Sequence, residues 1–408
     1  MTSSPSARFP WPLVITAATI LLITMGARQT IGLFIAPLDA ATGLGIVSIS
    51  LAVAIAQFVW GLAQPVFGAV ADRYGPGRVI AFGGIMLAIG TAATPFVRSE
   101  WQLIATLGIV SAFGAGAGSL SILIGSVMQR LSGERRSSAA GIINAGGSLG
   151  QFVFAPLVQA AIFGFGWVGA MIGVAGATLL TLPLAFAMRR RRDAAATAAA
   201  RPAAEQLTLR QQLKAAAADR SYWLLQLGFF TCGFHVAFLV THMPGEVRLC
   251  GLSPTVGANS LAIIGLANVV GSLGAGWLGT RFRLKHLLVW IYLGRAAAIL
   301  CFMMAPKTAL TFYLFATALG ITWLATLPPT AGLVGKLFGT RYLATLIGFT
   351  MLSHQLGAFY GAWLGGIAVA HFGDYTWMFY ADAALATFAA LINLPIREAP
   401  VVRAVATA

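Results

Sequence analysis

Residues 68–78 read GAVADRYGPGR, and residues 276–282 read GWLGTRF. Each stretch is a short turn rich in glycine and arginine between two long apolar runs. The likeness extends in both directions. Upstream, Thr24–Arg28 (TMGAR), followed by Pro37, matches Thr231–His235 (TCGFH), followed by Pro244. Downstream, Arg130, Gly133 and Arg135 match Lys336, Gly339 and Arg341, and Phe163–Trp167 (FGFGW) resembles Phe372–Trp377 (FGDYTW). Four matches in one order, at an offset of 206 to 209 residues, mark an internal duplication.

The duplicated unit is a set of membrane crossings. The chain has 408 residues, 58% of them hydrophobic and 9% charged. Apolar runs of about twenty residues, the length that carries a helix through a bilayer core, recur from end to end. Twelve spans are predicted, at 12–36, 46–70, 79–97, 102–127, 138–162, 166–188, 222–243, 257–279, 287–305, 309–333, 344–370 and 376–395. The first run shows no small-residue cleavage site and is expected to be retained. The net charge of +15 does not point to nucleic acid: with both termini inside, 21 of the 26 Lys and Arg fall in inner segments. That bias orients a polytopic protein, so a multi-pass protein of the inner (plasma) membrane with cytoplasmic N- and C-termini is expected. Six spans in 1–188 and six in 221–408 flank a charged, Ala-rich cytoplasmic linker, 189–220, with an amphipathic stretch near its end. Parallel repeats of six spans predict a transporter whose site lies at the midplane between the halves.

The loop Gly68–Arg78 resembles the signature loop of the major facilitator superfamily, Gly-x-x-x-Asp-Arg-x-Gly-Arg-Arg, with one position inserted at Pro76-Gly77-Arg78. The second copy keeps Gly276 and Arg281 and has Thr280 in place of the aspartate. The resemblance covers nearly the whole chain and implies an all-α membrane protein of twelve transmembrane helices in two pseudo-symmetric six-helix halves. It also implies that Asp72, Arg73 and Arg281 hold helix ends together on the cytoplasmic side and act in gating. Within the family, Arg28–Leu38 (RQTIGLFIAPL), Leu327–Gly335 (LPPTAGLVG) and Ser353–Gly366 (SHQLGAFYGAWLGG) resemble bacterial monocarboxylate and oxalate-formate type transporters. Those relatives carry an arginine in span eight after an Asn-x-x-Gly pattern; here Asn268-Val-Val-Gly271 is followed by Ser272.

Ionisable groups inside spans are costly and need a partner or a role. Arg28 and His235 occupy the same place in the repeat, one turn after Thr24 and Thr231. Two basic groups facing one cavity predict an anionic small-molecule substrate, with Arg28 offering a planar fork to a carboxylate. Thr24, Gln29, His354, Gln355 and Asn144 are further candidates for its hydrogen bonds. His354 is a candidate proton carrier, with a packing role as the competing reading. Arg295 in span nine and Asp382 in span twelve are expected to form a buried structural ion pair. The three cysteines are scattered, and no metal-ligand spacing, nucleophile elbow or phosphate loop is found, so no metal, cofactor or enzyme chemistry is expected. The predicted activity is alternating-access transport of a small monocarboxylate-like anion by a monomer, with proton symport, uniport and exchange all open. A multidrug or metabolite exporter is the alternative, and a non-transporting sensor a more distant one.

Overall fold

The computed structural model describes residues 11–128, 133–188, 208–339 and 342–400, and the regular structure among them is helical. The first crossing is α1 (Trp11–Gln29) continued by α2 (Gly32–Thr42); α3 (Ile46–Tyr74) and α4 (Pro76–Ala93) follow. The fourth is assembled from α5 (Glu100–Leu103), a π-helical stretch over Ile104–Ser111, α6 (Ala112–Ala117) and α7 (Leu120–Met128). The fifth and sixth run together as α8 (Gly133–Leu179), finished by α9 (Thr181–Ala187). A surface helix, α10 (Leu209–Ala218), leads into α11 (Arg220–Leu249), α12 (Pro254–Leu278) and α13 (Leu284–Met304). The tenth crossing is split into α14 (Ala309–Thr322) and α15 (Leu327–Phe338), and α16 (Leu343–Phe372) and α17 (Thr376–Asn393) complete the twelve.

Local chemistry sets the starts and breaks. Asp219 opens α11 by accepting the Tyr222 N–H at 3.0 Å, and Thr308 opens α14 by accepting that of Thr311 at 3.2 Å. The turn inside α8 falls at Gly166, whose φ of 71° and ψ of 167° only glycine adopts without strain. Among the described residues, nine stretches have the length and hydropathy to cross a membrane, one of them, Gly141–Ala187, holding two crossings. The last two helices, 30 and 18 residues long, carry His354 and Gln355, and Asp382 and Asn393. All four side chains are buried in protein.

Lipid tails offer helices no hydrophobic reason to associate, so close backbone approach matters. In the first half α1 crosses α8 so tightly that a Cβ on Gly150 would lie 2.2 Å from the Leu22 carbonyl oxygen. In the second half α11 crosses α16 in the same way: a Cβ on Gly357 would lie 1.9 Å from the Phe230 oxygen, and one on Gly233 1.8 Å from that of His354. Gly26 and Gly233, and Gly150 and Gly357, are repeat-equivalent positions, so the duplication is visible in the packing as well as in the letters.

Two antiparallel seams join the halves. Along α3 and α16, Ser50 meets Gly366 and Gly61 meets Gln355; about two turns further, Gly68 and Gly348 face open space. Along α8 and α12, Gly265 rests on the Ser148 carbonyl and the Asn268 amide donates to Ser148 Oγ at 2.9 Å, whereas Gly141 and Gly274 beyond them meet nothing within 4 Å. In both seams the open end is the face that carries the chain ends, called here the terminal face. The opposite face is sealed, with α2 of the first half packed on α11 of the second.

Candidate functional site

Arg28 lies in the last turn of α1, immediately before the break at Thr30 and Ile31, where the Thr30 hydroxyl donates to the Gly26 and Ala27 carbonyls at 3.1 Å. Its guanidinium turns sideways onto α3. It donates to Gln57 Oε1 and lies 4.1 Å above the centroid of the Trp60 ring, two residues one helical turn apart on the same face. A cation over an indole face with an amide oxygen at its edge is stabilised without a counter-ion. No described carboxylate lies within ion-pair distance of Arg28; the Asp39 side chain instead accepts the Gly45 N–H at 3.0 Å. Arg28 and Gln57 border a cavity of about 50 Å³ whose walls, Ile31, Phe34, Val53, Leu107 and Val174 among them, all come from the first half. The π-helical stretch of the fourth crossing contributes Leu107 and Ser111 to it.

Thr24 does not join this group. Its hydroxyl donates to backbone carbonyls, including that of Gly118 at 3.1 Å, and ties α1 to the break between α6 and α7. Gln29 is buried. Asn144 is half-buried one turn before Ser148 on α8, on the face that meets α12.

In the second half His235 is sealed off, with 1% of its surface exposed, so the expected single cavity shared by Arg28 and His235 is not formed. His235 Nδ1 lies 2.6 Å from Asp382 Oδ2. This corrects the expected Arg295–Asp382 pair: the carboxylate is taken by the histidine, because α17 packs against α11 at that level. Arg295, equally buried, donates from Nη2 to the carbonyl oxygens of Thr322 at 2.6 Å and Trp323 at 3.0 Å, where the end of α14 leaves carbonyls free. His354 Nδ1 and the Gln355 amide are 3.1 Å apart, and the Gln355 stem rests on Gly61 at the seam. His242 spans two elements, with Nε2 2.7 Å from the Ala362 oxygen and Nδ1 3.3 Å from the Tyr375 hydroxyl.

The loop residues separate as well. Arg281 is exposed and stacks 4.2 Å over the Trp277 ring, and Arg73 lies 5.4 Å from that of Tyr74. The Asp72 side chain falls outside the described residues. Gln57, Trp60, Cys232 and Trp323 were not singled out from sequence. The signal for the first two was their spacing of three on span two at the depth of Arg28.

The whole chain has counterparts among known proteins. The family model described as Major Facilitator Superfamily matches residues 17–359 and 248–407. Monocarboxylate transporter 13 of Rattus norvegicus is 26% identical over 399 residues, covering 97% of this chain and 91% of that protein. The oxalate:formate antiporter of Oxalobacter formigenes is 23% identical over 373 residues, covering 89% and 86%. Among solved structures, the D-xylose-proton symporter superposes with a TM-score of 0.74 at 15% identity, covering 94% of this chain and 98% of that one. An inward-facing bacterial homolog of the lysosomal transporter Spinster gives a TM-score of 0.71 at 16% identity, covering 95% and 94%. Twelve helices in two equivalent halves, a family model spanning both, and transporter relatives along nearly the full length lead to one conclusion: the chain is a membrane transporter that belongs to the major facilitator superfamily.

Proposed function

We propose that the protein moves a small monocarboxylate-like anion across the inner membrane by alternating access. The observation that carries this reading is Arg28, a membrane-depth cation held by an amide oxygen and an indole face with no described carboxylate to neutralise it. A carboxylate arriving there replaces the Gln57 oxygen as a bidentate acceptor and relieves the uncompensated charge. The adjoining cavity has room for only a few waters, which favours a small substrate. The names of the relatives agree with that chemistry, and with Ser272 in the span-eight position Arg28 takes over the role of charge recognition.

Transport is a rocking of two bodies, 1–188 and 221–408, joined by the linker 189–220, with Asp72, Arg73 and Arg281 controlling closure of the terminal face. The Lys and Arg bias supports a cytoplasmic position for that face. The test is uptake into proteoliposomes of radiolabelled monocarboxylates of one to four carbons, with Arg28→Lys and Arg28→Gln alongside. Arg28→Gln should abolish uptake and Arg28→Lys reduce it sharply, since an ammonium lacks the fork. Normal uptake by both variants overturns the anion site. Extrusion of lipophilic cations with no carboxylate uptake replaces the reading with that of an exporter.

A further inference from the structure

The second half contains a polar core that the anion site does not use. His235 from α11 and Asp382 from α17 are in contact at 2.6 Å, each with 1% of its surface exposed. Arg295 from α13 and the ring of Trp323, edge-on to His235 at a centroid distance of 5.6 Å, enclose them. Cys232, one turn before His235, lies 3.7 Å from the Trp323 carbonyl, which also accepts from Arg295. The other ionisable groups turned toward this core are Tyr292 on α13, whose hydroxyl donates to the Gly228 carbonyl at 2.7 Å, and His354 on α16. Four of its buried polar atoms lack a hydrogen-bond partner: His235 Nε2, Nε and Nη1 of Arg295, and His354 Nε2.

We propose that His235 Nε2 is the binding site of a proton that travels with the anion; this rests on the anion-transport reading above. An Asp382 carboxylate at Nδ1 fixes the neutral imidazole as the Nδ1–H tautomer and leaves a lone pair on Nε2. A proton from water adds to that lone pair with no bond broken in the protein, and Asp382 stabilises the imidazolium that forms. An anion and a proton bound together leave the buried charge of the carrier as it was. Empty, the membrane region holds Arg28 unneutralised and the Arg295–Asp382 charges balanced. An anion alone changes the buried charge by one unit, whereas an anion and a proton together restore it. The fully loaded and the empty carrier therefore cross with the same charge, and the cycle is electroneutral.

The site has a readout that needs no substrate, because an imidazolium at the edge of an indole quenches its fluorescence. In purified wild type, the part of the emission lost in Trp323→Phe should fall with acidification as a single titration, and His235→Asn, which keeps a donor toward Asp382, should remove that titration. If His235→Asn does not fold, Asp382→Asn, which withdraws the stabilising charge, should move the midpoint to lower pH. A Trp323 signal that does not titrate, or that titrates identically in the variant that folds, overturns the proposal. In proteoliposomes, an inward gradient of about one pH unit should drive about tenfold accumulation by wild type, unaffected by a potassium diffusion potential. The ratio of gradient-driven accumulation to counterflow should fall about tenfold in the His235 or Asp382 variant. A ratio equal to that of wild type overturns the coupling role. Absence of carboxylate counterflow in wild type defeats the anion reading, while the fluorescence titration still decides the proton site.

Discussion

Gly32 of the first half lies directly against the backbone of Val240 in the second: a Cβ at position 32 would stand 2.3 Å from the Val240 carbonyl oxygen and 2.9 Å from that of Thr241. Neither carbonyl belongs to a side chain that can turn away. The contact lies on the sealed face, so a side chain there wedges the halves apart where they meet. Overpacking of this kind costs about 1–3 kcal/mol, which moves a two-state equilibrium by about 5- to 150-fold. Gly32→Val should populate the state open to the opposite face, read as longer distances between spin labels at Thr42 and Leu252. Unchanged distances would mean that Gly32 is not part of the seal.

The crossing glycines and the open glycines of α16 should behave oppositely. Gly357→Ala drives a methyl group into the Phe230 carbonyl, and Gly348→Ala meets nothing within 4 Å. The first should lower the thermal midpoint of the purified protein and its yield. The second should be neutral or stabilising by about 0.5–1 kcal/mol, since alanine replaces glycine in a helix. Equal midpoints for the two variants would contradict the close approach of α11 and α16.

Trp60 is expected to set affinity rather than turnover. Its ring holds the Arg28 guanidinium at 4.1 Å, a contact worth about 0.5–2 kcal/mol. Trp60→Leu should raise KM for the transported anion by about 2- to 30-fold. Trp60→Phe should recover part of that loss. A fall in maximal rate at unchanged KM would assign Trp60 to the conformational change instead.

Cys250, just past the end of α11 on the opposite face, reports on its own surroundings. Burial, then the nearby Glu246 carboxylate, push its thiol up to about 11, against the opposing pull of Lys307. A raised thiol value means a smaller thiolate fraction at neutral pH, with reactivity climbing as pH rises toward that value. In a Cys232→Ser, Cys301→Ser background, an impermeant maleimide should modify Cys250 slowly at pH 7 and progressively faster up to pH 9. Glu246→Gln removes the charge that opposes ionisation and should speed modification at pH 7 several-fold. Identical rates would show that the carboxylate does not act on the thiol.

Much of this architecture was legible because membrane crossing is a property of single segments. Length and apolarity identify a helix without reference to its neighbours, and the repeated loops at Gly68 and Gly276 supplied the two halves. The depth of Arg28 was legible for the same reason. What required the structure was pairing. Asp382 follows His235 by 147 residues, and nothing in either segment says that α17 lies against α11 at that level; sequence alone pairs the acid with Arg295 on the neighbouring helix. Gln57 and Trp60 resemble ordinary span residues until the break after Gln29 directs the arginine toward them. That break occurs without a proline at Thr30 or Ile31, and Gly32 beside it is one of many glycines in the spans.

The two copies of the repeat have kept different things. Gly26 with Gly233 and Gly150 with Gly357 still sit at the corresponding helix crossings, where an added Cβ would meet the neighbouring helix. Arg28 and His235, two positions after the first of those pairs, have drifted to unlike chemistry without disturbing it. Mechanical parts and recognition parts are thus interleaved along the same helices and are changeable independently. A protein engineer could redirect the carrier to a different cargo by rewriting the basic position in one copy, leaving untouched the glycines that hold the helices of each half together.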